Sequence, residues 1–167
     1  MTAASLSIVK ESPVEKERRI KRLLSNYDEF CEYYFAHYLT LRDKTTGEVI
    51  RVIHNAPFHT RAALTIKNTP NLKAVFKWPR GHAKSIHIGV FIPLWLIFQP
   101  KRLINFMVTV GKSEDSANRL LGDLQAELEY NQKLIADFGE QKNLGLWLQG
   151  EFKTKGGAKF LAVGRGQ

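Results

Sequence analysis

Covalent and metal cross-links have few candidate residues in this sequence. Cys31 is the only cysteine among 167 residues, which excludes an intrachain disulfide and a cysteine-rich zinc site and fits a reducing compartment. Long apolar runs are also missing. The most hydrophobic stretch, residues 86–98, is interrupted by His87, Gly89 and Pro93 and is shorter than the ~20 residues that span a bilayer. The N-terminal residues lack the apolar segment of a signal peptide. We therefore expect a soluble, cytoplasmic protein with no membrane partner.

Acidic residues are absent from a long central stretch of the chain. No aspartate or glutamate occurs from Val49 to Ser113, whereas the same stretch holds ten lysines and arginines and four of the five histidines. The formal net charge of the whole chain is +9. Such a balance favours polyanionic partners. The outlying cations have an alternative explanation as a solvated basic face, with counter-charges on the acidic helices to either side. These cations are Lys67, Lys73, Lys101 and Arg102.

A cluster of basic residues stands where a strand-like run passes into a long apolar run. It spans Arg80 to Ser85 and reads Arg-Gly-His-Ala-Lys-Ser. A helix N-terminus already carries about half a positive charge, so Arg80, His82 and Lys84 would each be repelled there by a few tenths to ~1 kcal/mol. Pairing at i,i+4 cannot neutralise Lys84, because its neighbours at that spacing are Arg80 and Ile88. We therefore expect a phosphate chain at this turn, held by backbone N–H groups, the lysine and a serine-bound Mg²⁺.

The cluster departs from the strict phosphate-loop pattern, which is G-x-x-x-x-G-K-[ST]. That pattern requires glycine at two positions that Trp78 and Ala83 occupy here. A basic turn that merely caps a helix therefore remains an alternative. The surroundings favour the phosphate loop, since Leu72–Trp78 predicts a strand and the residues after the loop a buried helix. Leu103–Val110 predicts a second strand, and Ser113 opens an amphipathic helix. This order predicts an α/β fold with a parallel sheet flanked by helices.

The rest of the chain predicts one domain with a helical N-terminal segment. A flexible leader over residues 1–13 precedes a single domain over residues 14–167, because 44% hydrophobic content in 167 residues supports one core. No carboxylate follows either predicted strand, although ATP hydrolysis needs one to hold Mg²⁺. We expect the sequence to end before the strand that would carry this carboxylate. The other predicted elements are an amphipathic helix over 14–34, two short strands within 39–53, a helix over 60–66, a helix from 113 to about 130, a helical turn over 133–138 ended by Gly139, and a β-hairpin over 152–163.

These features resemble the large terminase subunits of tailed bacteriophages and prophages, which are the motors that package DNA into capsids. Pro79–Ser85 is similar to the terminase type of Walker A motif, in which an arginine precedes the lysine and the first glycine is often absent. Tyr33–Phe35 and Ala56–His59 look like the region that frames the adenine, although both also suit a protein core. The other segments that agree in order are Val108–Val110, Leu128–Asn131, Asp137–Gly139 and Val163–Gln167.

The resemblance implies a P-loop ATPase fold, with ATP and Mg²⁺ as cofactors and with Lys84 and Arg80 as the catalytic residues. Lys84 would bind the β and γ phosphates, and Arg80 would sense or stabilise the γ phosphate. The implied contacts of the other residues are backbone N–H groups of Gly81, His82 and Ala83 on the phosphates, the Ser85 hydroxyl on Mg²⁺, and Phe58 and His59 in the base pocket.

The resemblance also implies double-stranded DNA, the portal protein and the small terminase subunit as partners, in a motor that forms a homo-oligomer in the host cytoplasm. The Walker B acids and the nuclease domain of the family have no counterpart here. Whether this chain alone is an enzyme therefore stays open, although the family is an ATPase. Two alternatives remain, namely a non-enzymatic basic nucleic-acid-binding module and a nucleotide-binding protein without a DNA role.

Overall fold

Three helices form the N-terminal part of the fold. A computed structural model describes residues 11–166, so most of the predicted leader lies outside the described residues. The single helix predicted over residues 14–34 is two helices, because Asn26 divides it. Its side chain accepts hydrogen bonds from two backbone N–H groups of the second helix, which caps that helix. The helices are α1 (Pro13–Ser25), α2 (Tyr27–Tyr34) and α3 (Ala36–Leu39).

A two-stranded ribbon and a fourth helix follow. Strands β1 (Thr40–Arg42) and β2 (Val49–Val52) pair antiparallel, which confirms the predicted strands around a turn. In the turn, the Asp43 carboxylate accepts hydrogen bonds from the backbone N–H groups of the second and third residues that follow it. Helix α4 (Pro57–Asn68) is longer than predicted and starts at a proline, which lacks the N–H that the first turn of a helix leaves unpaired.

The prediction of a strand over Leu72–Trp78 is wrong. This segment has no regular secondary structure and belongs to no sheet, and Val75 is 82% exposed. A strand needs a neighbour to receive its backbone hydrogen bonds. A cavity of about 400 Å³, with Phe76 on one side and Met107 and Thr109 of the sheet edge on the other, lies where that pairing would occur. β-forming composition is therefore not enough to make this segment a strand.

The long apolar helix after the loop is confirmed and contains a wide turn. It consists of α5 (Lys84–Ile86), a π-helical turn (His87–Phe91) and α6 (Ile92–Ile97). A proline inside a helix has no N–H for the carbonyl four residues earlier, and its ring crowds that carbonyl. Pro93 is the second residue after the π-helical turn, so the wide turn relieves this conflict.

A four-stranded sheet and two helices complete the fold. The strand order is β3-β6-β5-β4, in which β3 and β6 are parallel and the other pairs antiparallel. The sheet is therefore mixed rather than parallel as predicted, and the α/β prediction holds as a mixed α and β fold with N-terminal helices. The predicted C-terminal hairpin is confirmed, whereas β4 was not predicted. The elements are β3 (Phe106–Gly111), α7 (Glu114–Tyr130), α8 (Gln132–Phe138), β4 (Lys142–Leu148), β5 (Glu151–Thr154) and β6 (Lys159–Gly164).

Helix α7 packs closely on the parallel strand pair. A Cβ atom on Gly111 would lie 2.5 Å from the Ala117 nitrogen, and one on Gly164 would lie 2.6 Å from the Glu114 nitrogen. Only glycine permits this approach between two backbones. The face of β3 turned away from α7 exposes Phe106 and Val110. Within residues 11–166, no helix has both the length and the apolar content that crossing a bilayer requires.

Candidate functional site

The basic loop predicted from the sequence lines a cavity at the start of the helix over residues 84–97. The cavity has a volume of about 490 Å³ and is lined by residues 78–86. Ligand sites in proteins are typically about 300–1,000 Å³. The structure exposes every residue from Pro79 to Ser85 to solvent. It thus brings together Arg80, His82 and Lys84, the three basic residues of the predicted cluster.

The loop backbone contains two residues with a left-handed conformation. Gly81 has a φ of +81° and Ala83 a φ of +50°. Ala83 occupies the position where the strict phosphate-loop pattern has glycine, and a left-handed conformation costs an alanine about 1 kcal/mol. Left-handed residues next to right-handed ones create concave arrays of N–H groups that bind anions. The Ala83 carbonyl accepts the N–H of His87, but its own N–H donates to no residue in the described range.

The positive charge at the loop is not compensated by any carboxylate in the part of the chain that the structure describes. Neither Arg80 nor Lys84 forms an ion pair with any residue from 11 to 166. The same holds for the other lysines and arginines between Val49 and Ser113. Elsewhere in the fold, ion pairs such as Arg22 with Glu29 and Lys142 with Glu129 are common. The loop cations are therefore available to a negatively charged ligand.

Lys84 and Ser85 also face the edge of the sheet. Both line the 400 Å³ cavity that separates them from Thr109 on β3. The Ser85 hydroxyl makes no hydrogen bond to a described residue, so its oxygen can serve as one ligand of a cation. No group of three His, Cys, Asp or Glu side chains in the described part of the chain could hold a metal ion. The Ser85 hydroxyl therefore suits a Mg²⁺ ion that takes its other ligands from phosphate oxygens and water.

The first turn of α4, which holds Phe58 and His59, packs against the loop. The Phe58 ring lies 5.2 Å from the Trp78 ring and 5.9 Å from the His82 ring, measured between centroids. The His59 ring is 7% exposed, and its Nε2 lies 3.0 Å from the carbonyl oxygen of His82. The loop cavity itself is lined by neither side chain.

The other aromatic segment that resembles an adenine-framing region belongs to the core. Tyr34 and Phe35 are almost fully buried. The Tyr34 hydroxyl donates to Asp137 of α8, and the Phe35 ring stacks on Phe91 at 4.3 Å. Their burial agrees with the core alternative for these residues.

Two buried residues behind the loop, Tyr27 and His87, were not predicted as part of the site from the sequence. The His87 ring stacks on the His59 ring with a centroid distance of 3.8 Å, and its Nδ1 is 2.7 Å from the Tyr27 hydroxyl. The pKa of His87 is lowered to about 3, chiefly by burial and to a smaller extent by the neighbouring His59. Burial also lowers the pKa of His59. The available signal was a lone histidine on an otherwise apolar helix, three residues after Lys84.

No family model, curated protein or solved structure matches this chain. The choice of site therefore rests on geometry and charge. A larger concavity of about 660 Å³ lies between α2 and α4, but Asp28 in its lining already accepts hydrogen bonds from Asn55 and Thr60. The loop cavity combines free cations with a free backbone N–H group, and it is the better candidate.

Proposed function

We propose that this chain binds Mg-ATP through residues 79–85 and is the ATP-binding part of a DNA-packaging motor of the terminase type. The observation that carries the proposal is that no carboxylate within residues 11–166 pairs with Arg80 or Lys84, which flank a left-handed turn at a helix start. Keeping two uncompensated cations beside a helix N-terminus costs stability in the free protein. A triphosphate would remove that cost by supplying the missing negative charge.

Each loop residue has a distinct role in this proposal. The Lys84 ammonium contacts the β and γ phosphates, and the Arg80 guanidinium stabilises the γ phosphate from the other side of the loop. The backbone N–H groups of the turn donate to phosphate oxygens. The Ser85 hydroxyl supplies one ligand of Mg²⁺, which shields the phosphate charge when bound. No carboxylate lines the described cavity, so the proposal covers ATP binding and not hydrolysis by this chain alone.

The motor part of the proposal rests on the resemblance to the terminase family. It assigns duplex DNA, a portal protein and a small terminase subunit as partners. If DNA and ATP are coupled ligands of this chain, each must change the affinity of the other by the same factor. Adding duplex DNA should therefore shift the dissociation constant for ATP. An affinity for ATP that does not respond to DNA would favour a nucleotide-binding protein without a DNA role.

A titration with a fluorescent ATP analogue tests the nucleotide site. We expect Lys84→Ala to raise the dissociation constant about 10- to 100-fold, because a hydrogen bond to a charged group contributes about 1.5–3 kcal/mol. Lys101→Ala is the matched control, since Lys101 is also an exposed lysine of the acid-free stretch without an ion pair. It should bind ATP like the wild type. Equal affinities of the wild type and Lys84→Ala would contradict the proposal.

A basic nucleic-acid-binding module is the second candidate. It is favoured by the ten lysines and arginines from Val49 to Ser113, none of which pairs with a described carboxylate. In this case DNA affinity should fall steeply with salt and be indifferent to Mg-ATP. Lys84→Ala and Lys101→Ala should then weaken DNA binding by similar amounts, because each removes one equivalent phosphate contact.

A further inference from the structure

Within residues 11–166, one side-chain hydrogen bond joins residues 70–82 to another element of the fold. In the described range, no backbone hydrogen bond joins residues 70–82 to another element. His82 Nδ1 donates to the Arg80 carbonyl at 3.1 Å, but this contact stays within the loop. The exception is the carbonyl oxygen of His82, which accepts a hydrogen bond of 3.0 Å from Nε2 of His59 on α4. His59 is therefore the one polar anchor of the segment.

The hydrogen bonds around His59 specify its protonation state. Its Nδ1 accepts a hydrogen bond of 3.0 Å from the backbone N–H of Ala56, so Nδ1 carries no proton. A carbonyl oxygen can only accept, so Nε2 must carry the proton that it donates to His82. The ring is the neutral Nε2–H tautomer. Burial, which lowers the pKa of His59, favours the same neutral form.

Packing holds the His59 ring in this orientation. One ring face stacks on His87 at a centroid distance of 3.8 Å with an interplanar angle of 15°. His87 is held in turn by the Tyr27 hydroxyl, and both side chains are buried. The Trp78 and His59 rings pack in a T-shaped arrangement with their centroids 5.0 Å apart. Since both ring nitrogens are engaged, His59 has no free donor or acceptor for a bound base.

The direction of one peptide group follows from this anchor. In a trans peptide the C=O and the following N–H point in opposite directions, and no described peptide bond is cis. The His82 carbonyl points inward to the buried His59 ring. The N–H of Ala83 in the same peptide group must therefore point outward, on the side of the exposed loop. This N–H has no partner in the described range.

We propose that His59 is a positioning residue that aims the Ala83 N–H at a bound phosphate by holding the His82 carbonyl. This inference rests on the proposed nucleotide site and deepens it. His59 lines no part of the loop cavity, so it acts through the loop and not by touching ATP. The left-handed conformation of Ala83 is the local cost of this arrangement.

Two substitutions at His59 separate the anchor from simple packing. Glutamine can extend an amide N–H about as far as Nε2, whereas asparagine reaches only as far as Nδ1. We expect His59→Asn to raise the dissociation constant for the ATP analogue about tenfold, the effect of one lost hydrogen bond. His59→Gln should stay within about twofold of the wild type. Backbone ¹⁵N order parameters of residues 80–84 in the free protein should fall below about 0.6 in His59→Asn only.

A measurement on the wild-type protein makes the test independent of how the variants fold. On addition of Mg-ATP, the amide proton of Ala83 should shift downfield, whereas that of Lys101 should not move. An unchanged Ala83 amide, in a protein that binds ATP through Lys84, would refute the positioning role and leave the proposed function intact. Equal losses of affinity in His59→Asn and His59→Gln would refute it also, because ring packing alone would explain them. Absence of ATP binding by the wild type would refute the proposed function itself, and the positioning role with it.

Discussion

Arg19 and Arg80 carry the same charge, but the fold surrounds them in opposite ways. The Arg19 guanidinium lies 2.6 Å from Asp137 of α8, also contacts Glu11, and packs over the ring of Tyr33 at 4.8 Å. The Arg80 side chain is exposed and has no described ion-pair partner. Arg19 joins α1 to α8 and so stabilises the frame of the molecule, which is the set of helices and strands outside residues 70–85. The loop cations contribute nothing comparable, which is expected of residues kept for a ligand.

The two regions differ in backbone hydrogen bonding as well as in charge. In the frame, helices and strands supply partners for the backbone, and caps such as Asn131 satisfy the helix ends. Residues 70–82 lack such bonds to other elements of the described chain and depend on His59. Substitutions in the frame should therefore change stability, and substitutions in the loop should chiefly change binding.

Removing the Asp137 carboxylate should have the largest effect on stability. Its side chain is 4% exposed and accepts hydrogen bonds from Arg19 and from the Tyr34 hydroxyl at 2.8 Å. Burial by itself would raise the pKa of Asp137, but these hydrogen bonds outweigh burial and lower it. We expect Asp137→Ala to reduce the free energy of unfolding by about 3 kcal/mol at pH 7, because a largely buried arginine loses the closer of its two carboxylate partners and keeps only Glu11. Urea denaturation measures this change.

An exposed ion pair provides the control for Asp137→Ala. Glu140 pairs with Lys155 at 2.7 Å, but the two side chains are 71% and 52% exposed. Glu140→Ala should therefore change stability far less than Asp137→Ala does. Lys84→Ala should raise stability slightly, because it removes a cation from a helix N-terminus, while it weakens ATP binding. Similar losses of stability in Asp137→Ala and Lys84→Ala would remove the distinction between frame and loop.

Acid should destabilise the boundary between the two regions, where His59 and His87 lie. Burial lowers the pKa of His59, and it lowers that of His87 to about 3. The unfolded chain takes up protons at these rings below pH ~6.5, whereas the folded protein does not. Stability is therefore complete above pH ~6.5 and falls as pH decreases, with a slope of about 1.4 kcal/mol per pH unit for His87.

Unfolding measured in urea between pH 7 and pH 5 tests this slope. His87→Gln should reduce the slope, because one buried neutral ring is removed. His54→Gln is the control for replacing a histidine by glutamine as such, since the His54 side chain is 72% exposed. A pH-independent stability of the wild type over this range would show that the two rings are not kept neutral by the fold.

Local signals explain which elements could be predicted from the sequence. Ser113 caps α7 and Gly139, with a φ of +76°, ends α8, as their residue types and neighbours indicated. Strands depend on partners from distant parts of the chain, so composition misleads. Leu72–Trp78 is rich in β-forming residues but is unpaired, whereas β4 contains an asparagine and a glycine and still pairs with β5.

The same distinction applies to the candidate site. Its basic loop is continuous in sequence and could be predicted from six neighbouring residues. The rings behind it could not, because Tyr27 and His87 are 60 residues apart and meet only through packing of α2 against the long helix. A family resemblance predicted His59 in the base pocket, but its hydrogen bonds to Ala56 and His82 required the structure.

The smallest expected effect, with the opposite sign, concerns backbone strain within the loop. Ala83 has a φ of +50°, and glycine adopts this conformation without the steric cost that a Cβ adds. We expect Ala83→Gly to raise the free energy of unfolding by up to about 1 kcal/mol, with little change in ATP affinity, because the N–H remains. Gly81→Ala is the reciprocal variant: its φ is +81° and a Cβ meets no atom within 4 Å, so it should lose about 1 kcal/mol through strain alone. A loss of stability in Ala83→Gly would mean that the turn is not strained, and the loop would then be as relaxed as the frame.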